Sequence, residues 1–175
     1  MEPIVPLPAE RSAGEQFEAL YRRTFPRVYA YVASMLRDRS AAEEVTAQAY
    51  ERAYRKRSSY KSRRGTPEAW LFGIARHAAL DELRRRGRRA PLEADPEDVS
   101  ATAPEDHAEG ILRRETVRAA LATLEPKERD LVALKYRADL SNTEIARVLG
   151  VSETNVGTRL HRVMEKLRRA CDERA

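Results

Sequence analysis

The chain has 175 residues, with 33 Lys+Arg against 28 Asp+Glu, a formal net charge of +5 and one cysteine. That length holds one domain or two small ones. A single cysteine excludes an intramolecular disulfide framework, and no apolar run approaches the roughly 20 residues of a membrane span. At the start, Glu2, Pro3, Pro6 and Pro8 stand where a signal peptide needs a basic stretch and an apolar core. A cytoplasmic chain without membrane insertion is expected. Seven Gly and many Ala, Leu, Glu and Arg favour helix over sheet, so the expected fold class is all-α.

In chain order, Phe17, Leu20, Tyr21, Val28, Tyr31, Val32 and Met35 follow helical spacing. Pro26 inside that pattern predicts a helix end or kink near Phe25. Ala42, Val45, Ala49 and Ala53 form a second stripe, with Tyr50 and Tyr54 beside it. A third helix is predicted from Thr66-Pro67, with Thr66 as N-cap and Pro67 at the first helical position. Its apolar face carries Trp70, Leu71, Ile74, Ala75 and Ala78 and runs into Leu83.

Ten of the eleven aromatics lie within residues 17–72, and most are expected in a core. Tyr60 differs. It stands in the polar, basic loop Arg57-Ser-Ser-Tyr-Lys-Ser-Arg-Arg-Gly-Thr66. Such a loop can be an ordinary exposed connection, or it can hold phosphates and an unstacked base. The run Arg84-Arg-Arg-Gly-Arg-Arg89 is either a solvated helix end or a phosphate contact.

Charge divides the chain. Residues 1–86 carry +6 (17 Lys/Arg, 11 Asp/Glu), residues 87–110 carry −5 (2 against 7), and residues 111–175 carry +4 (14 against 10). The acidic stretch holds Pro91, Pro96 and Pro104 and lacks apolar periodicity, so it reads as a flexible linker. It divides the chain into a tail (1–14), a helical bundle (15–86), the linker (87–110) and a second helical domain (111–172).

In the second domain residues 111–124 predict a helix, and Pro126 opens another that buries Leu131, Val132, Leu134 and Tyr136. Ser141-Asn-Thr-Glu144 is a capping box before a short helix, 142–149, with Ile145, Ala146 and Leu149 inward. Gly150 supplies the turn, and Ser152 caps a helix whose buried stripe is Val156, Leu160, Val163 or Met164, and Leu167. Short helix, glycine turn and longer basic helix make a helix-turn-helix pattern. The outward face of the second helix offers Glu153, Thr154, Asn155, Gly157, Thr158, Arg159, His161 and Arg162 to base edges and phosphates. His77, His107, His161 and Cys171 lack metal-ligand spacing, so neither metal nor cofactor is expected.

These residues together resemble a known family. Phe17-Glu-Ala-Leu-Tyr21 with Val28-Tyr-Ala-Tyr31 resembles the start of region 2 of the sigma-70 RNA polymerase sigma factors, in the small extracytoplasmic-function (ECF) group. Ala41-Ala-Glu-Glu-Val-Thr-Ala-Gln-Ala-Tyr50 resembles that region's polymerase-binding helix. Pro67-Glu-Ala-Trp-Leu-Phe-Gly-Ile-Ala-Arg-His77 resembles its promoter-melting helix. Leu124-Glu-Pro-Lys-Glu-Arg129 and Leu140-Ser-Asn-Thr-Glu-Ile-Ala-Arg-Val-Leu-Gly-Val-Ser152 resemble region 4. The match covers about residues 15–86 and 111–170. The chain departs from the family pattern at Glu44, Ala47, Glu125 and Gly157; the last stands where a Lys is common, removing one phosphate contact.

The resemblance implies a non-enzymatic factor that binds RNA polymerase core and directs it to promoter DNA. It implies −10 contacts from Tyr60, Lys61, Ser62, Arg63, Arg64, Thr66, Arg76, His77, Arg84 and Arg85. It implies −35 contacts from Ser152, Glu153, Thr154, Asn155, Thr158, Arg159, His161 and Arg162. Glu43, Glu44, Gln48, Glu51 and Arg52 would dock on the polymerase, and the acidic linker would lie in its RNA path. An anti-sigma factor is expected from the group, and the free chain is expected to be a monomer. Two rival readings remain open: a stand-alone helix-turn-helix regulator, and an interaction protein that sequesters polymerase.

Overall fold

In the computed structural model, residues 12–88 and 108–173 are described. The expected tail, except for residues 12–14, and most of the expected linker lie outside them. Among the described residues the chain forms α-helices joined by turns, without strands.

Helix α1 (Ala13–Leu36) opens on a capping box. Ser12 Oγ accepts the Glu15 amide at 3.2 Å, and the Glu15 carboxylate accepts the Ser12 amide at 2.7 Å. Pro26 does not end the helix: α1 runs through it. A proline inside a helix costs about 3 kcal/mol. Beyond it Val28, Tyr31, Val32 and Leu36 are all buried, and each such side chain contributes about 1.5–3 kcal/mol. Burial therefore outweighs the lost backbone bond.

Helix α2 (Arg39–Arg55) is capped by Asp38 and buries Ala42, Val45, Ala49, Tyr50 and Ala53. Two single-turn 3-10 helices, Arg57–Ser59 and Ser62–Arg64, lead to α3 (Pro67–Arg88). The predicted cap is present, with Thr66 Oγ1 accepting the Ala69 amide at 3.1 Å. The apolar face of α3 includes Phe72, fully buried, whereas Leu83 is 37% exposed and is not part of it. Leu83 lies off the buried stripe: beside it in the same turn Glu82, only 9% exposed, takes the inward position.

Helix α4 (Ala108–Ala122) begins three residues before the expected start, and α3 continues two residues beyond 86. Helix α5 (Pro126–Tyr136) buries Leu131 and Leu134. Tyr136, expected inside, is 58% exposed. It lies at the last turn of α5, where its hydroxyl reaches Met164 Sδ at 3.5 Å rather than the core. In its place α5 buries Asp130, 7% exposed. Helix α6 (Asn142–Leu149) and helix α7 (Glu153–Asp172) have the predicted capping box, left-handed Gly150 (φ 69°) and Ser152 cap.

Helices α1–α3 pack on one another, and α4–α7 form a second bundle. The two are not separate bodies: α3 lies against α6 and α1 against α5. One continuous core runs from Leu20 and Val32 through Leu71 and Phe72 to Leu134, Ile145 and Val156.

Phe72 stands edge-on to Tyr31, with ring centroids 5.8 Å apart, beneath the Arg27 guanidinium. Phe72→Ala is expected to lower stability by about 3–5 kcal/mol. Denaturant unfolding followed by helical ellipticity checks it; a loss below 1 kcal/mol would show that the shared core is not load-sharing there.

Candidate nucleic-acid interface

Two basic surfaces emerge from this frame. The first is the loop 60–66 and the α3 turns that follow. Tyr60 closes the loop on itself: its hydroxyl donates to the Gly65 carbonyl at 2.8 Å, and its ring leans on Trp70 with centroids 5.6 Å apart. Burial, and then the Glu68 charge, push the phenol above its usual pKa, so it stays a donor. Gly65, at φ 138°, makes the bend that other residues rarely adopt. The side chains of Lys61, Ser62, Arg63 and Arg64 face solvent, and among the described residues the three cations have no acidic partner.

Further along α3 the predicted residues separate. Arg76 is not free: its Nε donates to Asp130 Oδ2 at 2.8 Å, with only 23% of its side chain exposed. His77 is exposed, and its Nδ1 donates to the Gly73 carbonyl one turn back at 2.6 Å. Arg84 pairs with Asp81 at 3.1 Å and Arg85 with Glu82 at 2.5 Å. They stand 18 and 19 residues beyond Thr66, about 27 Å along the axis, so they do not join the loop cluster.

The second surface is the first half of α7. Ser152 Oγ accepts the Asn155 amide at 3.2 Å and so starts the helix. Val156, Leu160 and Val163 point inward, which turns Glu153, Thr154, Asn155, Thr158, Arg159, His161 and Arg162 outward, all exposed. Thr158 turns its hydroxyl back to the Thr154 carbonyl at 3.0 Å. Among the described residues Arg159 and Arg162 have no acidic partner. Unpaired guanidiniums on the exposed face of a helix, about two turns from its start, are suited to phosphates and base edges.

A third face lies on α2. Glu43, Glu44, Glu51 and Arg52 are exposed and Gln48 half-buried, all on the side away from the core. Arg39 pairs with Glu43 at 3.2 Å, Gln48 donates to Glu44 at 3.0 Å, and Arg55 pairs with Glu51 at 2.6 Å. Such exposed pairs contribute only about 0.3–0.5 kcal/mol each, so they can exchange partners readily.

Sequence reasoning missed the residues that tie the first surface to the second bundle. Thr66 Oγ1 donates to Glu144 Oε1 at 2.7 Å. Arg147 Nη1 donates to the Arg64 carbonyl at 2.6 Å. Arg27 donates to the carbonyls of Ala138 (2.8 Å from Nε) and Asp139 (3.0 Å). Tyr31 Oη donates to Asp130 Oδ1 at 2.7 Å. Burial, then the Asp130 charge, raise the Tyr31 hydroxyl well above its ordinary pKa. Burial alone would push the Glu144 carboxyl up, but hydrogen bonds from Thr66 and Ser141 outweigh it and leave the pKa below the usual carboxylate range. An unpaired-looking Asp in an amphipathic helix was the only signal for Asp130.

Comparison with known proteins places this geometry. Residues 20–89 match the family Sigma-70 region 2, and residues 114–167 match Sigma-70, region 4. The chain is 35% identical over 164 residues to RNA polymerase sigma factor CarQ of Myxococcus xanthus, covering 92% of each protein. It is 30% identical over 156 residues to ECF RNA polymerase sigma factor SigK of Mycobacterium sp. (strain KMS), covering 87% of this chain and 80% of the relative. The fold resembles that of the sigma factor RpoE in complex with the anti-sigma factor NepR from Bartonella quintana. The TM-score there is 0.69 at 22% identity, over 90% of this chain and 98% of that one. It also resembles CnrH in complex with the cytosolic domain of CnrY, with TM-score 0.66 at 20% identity, over 93% and 91%.

Gly157 sits in the exposed face of α7 with only Asn142 Nδ2, 4.0 Å away, near an added Cβ. Gly157→Ala is therefore expected to raise stability by about 0.5–1 kcal/mol. The shift in the denaturant midpoint at constant slope measures it; destabilisation would mean that the helix needs glycine at this position.

Proposed function

Because the chain belongs to the ECF RNA polymerase sigma factors of the sigma-70 family, we propose a residue-level account of how it directs promoter-specific transcription initiation. The unpaired Arg159 and Arg162 on the exposed face of α7 carry the reading. Helix α7 enters the major groove of the −35 duplex from its N-terminal end. Ser152 to Asn155 reach base edges, and Thr158, Arg159, His161 and Arg162 fix register on bases and phosphates.

The loop 60–66 receives the −10 element as a strand rather than a duplex. Lys61, Arg63 and Arg64 neutralise its phosphates, and the Tyr60–Trp70 pair offers a ring face against which an extruded base stacks. Extrusion costs a few kcal/mol, and stacking returns about 1–3 kcal/mol per base. Arg76 and His77 extend that surface along α3, and Arg84 and Arg85 meet duplex phosphates at its far end. Glu43, Glu44, Gln48, Glu51 and Arg52 dock α2 on the polymerase core. The acidic linker, most of it outside the described residues, runs in the enzyme's RNA path. The protein works in the cytoplasm without chemistry of its own, and an anti-sigma factor holds it inactive.

Two outcomes follow. Arg159→Ala is expected to weaken protection of the −35 element in closed complexes by roughly tenfold, the size of one lost guanidinium–base contact. Footprinting of the reconstituted holoenzyme at several salt concentrations measures it; unchanged protection would remove Arg159 from the interface. Tyr60→Ala is expected to slow strand opening while leaving closed-complex formation intact. Run-off transcription with core polymerase on duplex and pre-melted templates separates the two steps. Equal slowing on both templates would contradict a role in melting, and no promoter-dependent transcript from wild-type protein would contradict the whole reading.

A further inference from the structure

Two residues beside the exposed face of α7 are absent from the −35 contacts proposed above. Lys135 stands in the last turn of α5 and Asn142 is the first residue of α6, and both helices pack against α7. The half-buried Lys135 donates from Nζ to Asn142 Oδ1 at 3.1 Å and to the Leu140 carbonyl at 3.5 Å. An ammonium group can only donate. The Asn142 amide must therefore turn its oxygen to Lys135, which directs its Nδ2 away from that partner.

This nitrogen lies beside Gly157, 4.0 Å from where a Cβ at that position would stand. Among the described residues it has no acceptor, and it is not a buried orphan: solvent reaches it. Helical geometry puts it at the edge of the outward face of α7. At about 100° per residue, Gly157 lies only about 60° around the axis from buried Leu160, whereas Thr158 and Arg162 lie about 160° from it. Glu153 and His161 share that edge, one turn to either side. With glycine between them, α7 offers no side chain there, and the Asn142 amide stands next to the gap.

We propose that Asn142 is a further contact to promoter DNA, donating from Nδ2 to a phosphate of the strand that borders the −35 groove, with Lys135 as its positioning residue. The inference rests on the reading that α7 enters that groove. A helix lying in the major groove meets base edges at the centre of its outward face and the sugar–phosphate strand at its flank, where the preceding helix crosses. Lys135 acts on Asn142 in two ways. It selects one of the two orientations that a free amide would sample, and its charge polarises the amide, which strengthens the N–H as a donor to an anion. A single donor carries no pattern that separates one base pair from another. The contact therefore adds affinity equally on every −35 sequence, and the neutral amide displaces no counterion of its own.

The experiment uses the full chain reconstituted with core polymerase. Fluorescence anisotropy measures closed-complex binding to a promoter duplex mapped by run-off transcription, and to the same duplex with single −35 substitutions, at several salt concentrations. Asn142→Ala is expected to weaken binding about fivefold on every duplex, with the salt slope unchanged. Asn142→Asp keeps the Lys135 bond as an ion pair but replaces the donor by an anion, so it is expected to bind at least about tenfold more weakly. A purely structural role for Asn142 predicts no such loss. Lys135→Met is expected to cost the same factor as Asn142→Ala, and nothing further in combination with it, while Lys135→Arg retains wild-type binding. Unchanged binding by both Asn142 variants, with weaker binding by Arg159→Ala, overturns the Asn142 contact alone. A loss confined to one −35 sequence overturns the phosphate assignment, and additive losses from Lys135→Met and Asn142→Ala overturn the positioning role. Unchanged binding by Arg159→Ala as well overturns the contact together with the −35 reading of α7.

Discussion

A carboxylate placed in a protein interior must be matched by charge and hydrogen bonds, because the unmatched ion costs several kcal/mol. Asp130 is such a group, and the rest of the structure is arranged around meeting that requirement. One oxygen takes the Tyr31 hydroxyl from α1, the other takes Arg76 from α3. The carboxylate itself comes from α5. Three helices from two bundles are thereby aligned in rotation and in height, and the apolar contacts of Leu71, Phe72, Leu134 and Ile145 follow from that alignment. Hydrophobic burial supplies most of the adhesion but has no direction; the ion pair and the phenol give the joint its one register.

What could be read from the sequence was local. Thr66 before Pro67, the Ser141 capping box, Gly150 and the Ser152 cap all depend on residues no more than four positions apart, and each is found where the spacing put it. The helix-turn-helix was legible for the same reason. Pro26 does not end its helix, because the local penalty is outweighed by the burial on either side of it. Tyr136 departs from the expectation because helical periodicity says which face a residue is on but not where a neighbouring helix ends, and Leu83 because Glu82 holds the inward position in its turn.

The candidate site divides along the same line. Exposed cations such as Arg63, Arg159 and Arg162 can be proposed from charge and position, since nothing intervenes between residue and solvent. Arg76 shows the limit. Its positive charge was visible; its partner, 54 residues away, was not. The pairs of Tyr31 with Asp130 and of Arg27 with Ala138 span 99 and 111 residues. No periodicity connects positions so distant, and the acidic, proline-bearing segment between them, which reads from the sequence as a linker, suggests independence rather than contact. The modest net charge of +5 now has a structural side as well: part of the basic character of the first bundle is neutralised by acids of the second.

The order of the helices along the chain gives the Asp130 joint a temporal consequence. The α1–α3 bundle is complete at Arg88, whereas Asp130 is the forty-second residue after it. At synthesis rates of roughly 5–20 residues per second, that interval lasts about 2 to 8 s. During it the first bundle can fold from its own local contacts while Arg76 still lacks its carboxylate. Each newly made molecule thus passes through a brief nascent stage in which the basic face of α3 stands uncovered on the ribosome, surrounded by ribosomal RNA.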